Sequence, residues 1–280
     1  MLEAPNVFHD VFTKEFKYDF ERDGPKLLNC VSSQGVVNGD LVYFDVVDPG
    51  DEAVEKGRDG RIPSSDLGLS QVSAQLQNHH KKYRIDDFDK FRANPNMAQA
   101  MQMRGKGAIV RKIEQLIVDQ LDTATANMGA ATILSTLAEI SEWVEALSLN
   151  DVEIDSGQVT GVVSHRAWSQ MLRIPEFKSA DYTEVKVADR YYATKAKQFL
   201  GVNWIMYNGL TGRGTAAAKC YLFHRSAIGH MFDGLPSPIF FDNKEDAYSG
   251  VRFEVKHTAK MLLQRGVIQF VHNDTTGLTA

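Results

Sequence analysis

Two cysteines in 280 residues leave almost no thiol chemistry to consider. Cys30 and Cys220 have neither metal-ligand nor redox spacing, so they read as small buried apolar residues in a reducing, cytoplasmic setting. Long apolar runs are also missing. Nothing approaches the roughly 20 residues of a membrane-spanning helix, and the N-terminus has no basic section followed by an apolar one, as a signal peptide would. A net positive charge is missing as well. The formal net charge is -5, without the basic footprint of a dedicated nucleic-acid reader. There is no internal repeat and no low-complexity tract. With 43% hydrophobic and 24% charged residues, the chain reads as ordinary globular protein, one large domain or two modest ones.

Catalytic motifs are equally thin. Gly105-Lys106-Gly107 lies inside a helical pattern, with no strand before it and no Lys-Ser/Thr ending, so it is not a phosphate loop. Gly212-Arg213-Gly214-Thr215 lacks a third glycine and a following helix. His79 and His80 are adjacent and would point to opposite faces of a strand. His224 and His230 are six apart, which is not a helical ligand spacing. Ser164-His165 and Ser226 have no glycine-bounded elbow, and the carboxylates Asp86, Asp87, Asp242, Glu245 and Asp246 read as solvated loops. The expectation is a protein without catalysis, metal or cofactor.

What is present is a long amphipathic rod. From Pro95, a first-turn proline behind the N-cap candidate Asn94, the residues Met97, Met101, Ile109, Ile113, Leu116, Ile117 and Leu121 recur at three- and four-residue intervals. Arg104, Lys106, Arg111, Lys112, Glu114 and Asp119 occupy the other faces. Roughly 30 residues make a rod of about 45 Å. Gly129 breaks it, and a second helical run from Ile133 to Leu149 carries Leu137, Ile140, Trp143 and Leu147 on one face.

Before the rod, residues 1 to about 40 are rich in aromatics. Phe8, Phe12, Phe16 and Phe20 alternate with charge in a pattern that needs a surface to lie on. Leu41–Val47 and Leu69–Ile85 read as strands around a charged, Gly- and Pro-rich tip that includes Arg58, Asp59 and Arg61. Val72, Ala74 and Leu76 alternate with polar neighbours. A strand of about 17 residues extends roughly 55 Å, whereas a compact chain of this length has a radius of gyration of about 19 Å. Because Gln77–Lys82 is polar on both faces, the hairpin is expected to project and to be supported by another chain.

After the rod, the texture becomes α/β. Val159–Val163, Leu200–Tyr207 and Lys219–Phe223 read as strands. A helix around Trp168, Met171 and Leu172 ends before Pro175, and a short helix is expected from Ser226 through Phe232. Val251–His257, Met261–Leu263 and Val267–Val271 read as closing strands, expected to return to the rod.

Arm, long hairpin, long helix, α/β unit and returning strands follow in the order of the major capsid proteins of tailed bacteriophages, the Hong Kong 97-like fold. Phe12 to Val31 resembles that family's N-terminal arm, Leu41 to Phe88 its extended loop, and Phe91 to Ala126 its spine helix. Val162 to Leu172, followed by Phe177 and Asp181-Tyr182, is similar to its axial domain, as are Leu200–Trp204 and Tyr221–Met231. The resemblance implies an α+β fold divided as N-terminal arm 1–40, extended β-hairpin loop 41–88, peripheral domain with spine helix 89–150, axial domain 151–245 and returning strands 246–280.

It further implies self-assembly of hexamers and pentamers into an icosahedral virion shell around double-stranded DNA, assembled in the host cytoplasm. The implied partners are other copies of the chain, non-specifically held DNA, a portal protein, a decoration protein and, since this sequence starts at the arm, a separate scaffolding protein, unless a scaffolding segment was removed before or outside this sequence. Phe8, Phe12, Phe16, Phe20, Arg58, Asp59, Arg61 and Leu76 are the expected intersubunit contacts. Arg104, Lys106, Arg111 and Lys112 are the expected DNA-facing groups. No cross-linking chemistry carries over, because nothing positions a Lys–Asn pair beside a carboxylate. Two rival readings are an encapsulin-type nanocompartment shell and a soluble α/β enzyme with a site around His165, Trp168 and Asp181.

Overall fold

A computed structural model describes residues 25–47, 55, 60, 68–86, 97–128, 136–178 and 197–275. The expected rod is there as α1, Met97–Leu121, whose 25 residues span about 38 Å. Its periodic residues Ile109, Ile113, Ile117 and Leu121 are buried together with Val118. Asn94 and Pro95 lie outside the described residues. The second helix, α2 (Leu137–Ser148), begins one residue after Thr136, whose backbone N–H donates to Glu139 Oε2 at 3.0 Å in a capping box. Ile140, Trp143 and Leu147 form its buried stripe. Two short helices, α3 (His165–Met171) and α4 (Pro175–Lys178), follow. Pro175 opens α4 at the position where a missing N–H costs nothing.

Three sheets organise the strands among the described residues. The first is a meander of β1 (Val36–Asn38), β2 (Leu41–Val47) and β3 (Leu69–Gln75). The second places β10 (Tyr248–Met261) between β4 (Gln77–Asp86) and β9 (Ile228–Asn243). The third runs β11 (Val267–His272), β8 (Ala218–His224), β5 (Val159–Val163), β7 (Val202–Met206), β6 (Lys197–Phe199). In that sheet only β5 and β7 pair in parallel. Its buried faces supply most of the main core, with Trp143 of α2 stacked on Phe270 at 3.6 Å between ring centroids.

Three expectations change. The strand expected over 69–85 ends at Gln75, and Leu76 N–H turns to donate to Asp40 O at 2.8 Å. The following β4 leaves the hairpin and pairs along its whole length with β10, from Gln77 opposite His257 to Asp86 opposite Tyr248. Its two-sided polarity does not make it project, because the apolar face of that sheet comes from its neighbour. Val251, Phe253 and Val255 of β10 pack on Ile109 and Ile113 of α1.

The helix expected from Ser226 is one 3-10 turn, Arg225–Ala227, and Ile228 then starts β9. Alternation decides this, since Met231 packs towards Val42, Phe44 and Leu76 while Phe232 packs against the α1 cluster. Gly229 leaves room for the Phe44 ring, which a Cβ there would meet at 2.6 Å. Lastly, the closing strands divide: β10 lies along the long helix through Val251, Phe253 and Val255. β11 pairs with β8 and completes the five-stranded sheet.

Two residues explain how α1 sits so close to its neighbours. At Gly105 an added Cβ would run into the Phe253 ring, so the glycine read as a failed phosphate loop is a packing device. Glu114, expected among the solvated charges, is only 2% exposed. Its Oε1 accepts the backbone N–H of Leu27 at 3.0 Å and also that of Lys26. The start of the described chain is thereby pinned to the middle of the rod.

Candidate intersubunit surfaces

Around Ser164 the serine, histidine and carboxylate side chains that converge do structural work, and the Ser226 hydroxyl meets His224 Nδ1 at 2.7 Å where that ring caps the 3-10 turn. Ser164 accepts from Ala167 N–H at 3.1 Å as the N-cap of α3 and donates to Asp274 Oδ1 at 2.6 Å. His272 is held between Asp274 Oδ1 at 2.7 Å and Gln170 Oε1 at 2.6 Å. Ser164 thus meets the carboxylate and not the imidazole, the reverse of what a nucleophile needs. His165 is outside this network, and Asp181 is outside the described residues. No group of three or more His, Cys, Asp or Glu among the described residues could hold a metal ion.

A second knot ties the end of α1 to the five-stranded sheet. Asp122 accepts from Thr211 Oγ1 at 2.7 Å and from the Tyr221 hydroxyl, and pairs with Lys219 Nζ at 3.0 Å. Burial raises its carboxyl pKa, but those hydrogen bonds and the Lys219 charge outweigh burial and hold it below the usual range. Burial, then the bond to Asp122, pushes the Tyr221 phenol far up, so it stays a proton donor.

The expected contact residues fall into two groups. Phe8, Phe12, Phe16, Phe20, Arg58, Asp59 and Arg61 lie outside the described residues. Leu76 is only 7% exposed and packs with Val42, Phe44 and Ala74 at the root of the hairpin. It is consumed inside its own chain and offers no contact surface. The four basic residues of α1 do not form one stripe. Arg104 and Arg111, seven positions apart, share a face. Lys112 is turned by about 100° from Arg111 and lines a groove with Asn78, His79, His80 and Lys81 of β4. Lys106 is exposed in yet another direction.

Sequence reading missed the apolar groups that the fold leaves uncovered. Val47 and Leu69 are paired across the end of the hairpin and are 54% and 69% exposed. At the far end of β9, Phe240 is 61% exposed. It borders a groove with Met101, Phe241 and Val251. Lys82 Nζ sits over the Phe241 ring at 4.4 Å and the Tyr248 ring at 5.0 Å. The run Ile239-Phe240-Phe241 was the available signal, but its exposure depends on the sheet ending there. Large apolar side chains at the tips of sheets suit association surfaces better than a core.

A long helix laid across one sheet, a hairpin rooted beside it and a separate five-stranded α/β unit define the Hong Kong 97-like α+β class. Residues 4–233 match the model of the phage capsid protein family, and the chain belongs to that family. The capsid of Ralstonia phage GP4 is similar over 100% of this chain and 98% of its own, with a TM-score of 0.70 and 10% identity. A structure from Mycobacterium phage Che8 has a TM-score of 0.65 and 18% identity, covering 95% of this chain and 98% of its own. A virus-like particle from Pyrococcus furiosus is similar at a TM-score of 0.58 and 10% identity, over 88% of this chain and 92% of its own. No curated protein sequence matches the chain. The family is a structural one, as the resemblance implied, and no helix among the described residues is long and apolar enough to cross a membrane.

Proposed function

We propose that this chain is the major capsid protein of a tailed phage, assembling as hexamers and pentamers into an icosahedral shell around double-stranded DNA. One observation carries the reading: the family match over residues 4–233 belongs to a chain that covers phage capsid structures almost from end to end. Subunits dock through the N-terminal aromatics Phe8, Phe12, Phe16 and Phe20 and through the hairpin tip with Arg58, Asp59 and Arg61. The exposed Val47, Leu69 and Phe240 add apolar area at sheet ends. A few hundred Å² of apolar burial per contact is worth several kcal/mol at about 25 cal/mol per Å². Much of that is offset by ordering the arms and losing translational freedom. Weak repeated contacts let misplaced subunits leave before the shell closes. The mixed charges at the tip set register more than affinity.

DNA is held weakly and without sequence preference, by local groups such as Arg104, Lys106, Arg111 and Lys112, because the chain as a whole is acidic. A portal protein, a separate scaffolding protein and a decoration protein complete the particle, which assembles in the host cytoplasm. Electron microscopy of the purified chain tests the reading: closed particles, or hexamers and pentamers, are expected, and a stable monomer at high concentration refutes it. Deleting residues 50–67 or residues 1–20 is expected to abolish closed particles; normal assembly without either segment removes that segment from the interface. The encapsulin-type reading keeps a foothold in the likeness to the Pyrococcus furiosus virus-like particle. Particle contents separate the two, nucleic acid for the first and enclosed protein for the second.

A further inference from the structure

Three histidines meet in the seam between α1 and the β4–β10–β9 sheet, one from each strand. His257 on β10 is 0% exposed and His230 on β9 is 4% exposed. Their ring centroids are 5.8 Å apart, and Phe232 lies 4.7 Å from the first and 5.3 Å from the second. His79 on β4 sits opposite Val255, two residues from His257 and on the same helix-facing side. Both nitrogens of His257, Nδ1 of His230 and Nε2 of His79 are buried without a hydrogen-bond partner among the described residues. Unpaired buried polar atoms are rare and need an explanation. A metal does not supply one, since no cluster among the described residues has ligand geometry.

The charged groups acting on the rings are cations or other histidines. From α1 Lys112 acts on His79, as does His80 on β4; Arg225, in the 3-10 turn before β9, acts on His230; and His230 and His79 act on His257. Among the described residues no carboxylate is one of them. A proton arriving here meets a desolvated site with positive neighbours and nothing to balance it.

We propose that His79, His230 and His257 form an acid-operated latch that holds α1 on the sheet while neutral and releases it on proton uptake. Burial first, and then its two histidine neighbours, pushes the His257 pKa down to about 3. Burial and then Arg225 push His230 down to about 4. In an opened seam both rings return towards the ordinary value of about 6.5. Opening therefore takes up protons. The closed state is fully favoured above about pH 6.5 and is progressively lost as pH falls towards 4. Burial lowers the His272 pKa in the five-stranded sheet as well, but both its ring nitrogens have partners and Asp274 pulls the value part of the way back, so a proton taken up there is balanced as it is not in the seam.

Hydrogen exchange along the full-length chain tests the latch, after correction for the pH dependence of the intrinsic exchange rate. Opening of α1 is expected to rise towards about 100-fold per pH unit between pH 6 and 4, one factor of about ten for each of His230 and His257. Amides of β5 and β8 are expected to stay protected over that range. His257→Gln should lower the slope by about one proton, and the His230→Gln, His257→Gln pair by about two. An unchanged slope in the pair, or β5 and β8 opening together with α1, overturns the proposal. If the variants do not fold, NMR titration of the histidine rings in the unaltered chain decides alone. Both rings still neutral at pH 5 support the latch, and titration of either at its ordinary value refutes it.

Discussion

Replacing Glu114 tests whether the start of the described chain is held by one buried carboxylate. Its Oε1 takes the backbone N–H of both Lys26 and Leu27, and Leu27 is 0% exposed. In Glu114→Leu both N–H groups lose their acceptor. At about 1–3 kcal/mol for the buried Leu27 N–H and somewhat less for the part-buried one of Lys26, closure of this segment weakens by about 2–5 kcal/mol. In Glu114→Gln the amide oxygen can still accept both bonds. Only the gain from charge is lost, about 1 kcal/mol.

Trypsin reads the difference directly, because Lys26 is the exposed residue at this anchor. Cleavage after Lys26 follows the population of the opened segment when opening is fast. The Leu variant should be cut roughly 30- to 4,000-fold faster than the parent, at about tenfold per 1.4 kcal/mol, and the Gln variant about fivefold faster. Equal rates in all three chains would show that the carboxylate does not anchor the segment. A Gln variant cut as fast as the Leu variant would show that charge, and not the pair of acceptor bonds, is what matters.

Three further outcomes follow from the packing. Gly105→Ala gains about 1 kcal/mol of helix propensity but places a methyl in the Phe253 ring, an overlap costing about 1–3 kcal/mol. A net loss of about 1 kcal/mol by denaturant titration is expected, and in a Phe253→Leu background the same change should become neutral or stabilising. Trp143→Ala removes the ring stacked on Phe270 and should cost about 3–5 kcal/mol, seen as a lower Tm. Asp122 has a depressed pKa, so its contribution is present above the ordinary carboxylate value of about 4 and is lost as pH falls through the folded pKa. The stability gap between parent and Asp122→Asn should therefore be widest near neutral pH and should narrow in acid. A gap independent of pH would mean that the Tyr221, Thr211 and Lys219 contacts do not favour the charged form.

The sequence by itself determined the long helix, the apolar face of its successor, most of the strands and, through their order, the family. Local periodicity carries that information, since Ile109, Ile113, Ile117 and Leu121 declare an apolar face whatever covers it. The four arm aromatics and the three charged tip residues chosen as contacts lie outside the described residues. Leu76 was legible as apolar but not as self-buried. Only the tertiary structure decided that β4 joins β10 and not the hairpin, that Ile228–Phe232 is strand and not helix, and that Glu114 points inwards. It alone brought His79, His230 and His257 into one seam from positions up to 178 residues apart, the difference between 257 and 79. The physical reason is common to all of these. A residue's own neighbours fix which side of an element is apolar, but which distant strand completes that side, and which polar group must then be satisfied beneath it, is settled by pairing between segments with no local sequence signal.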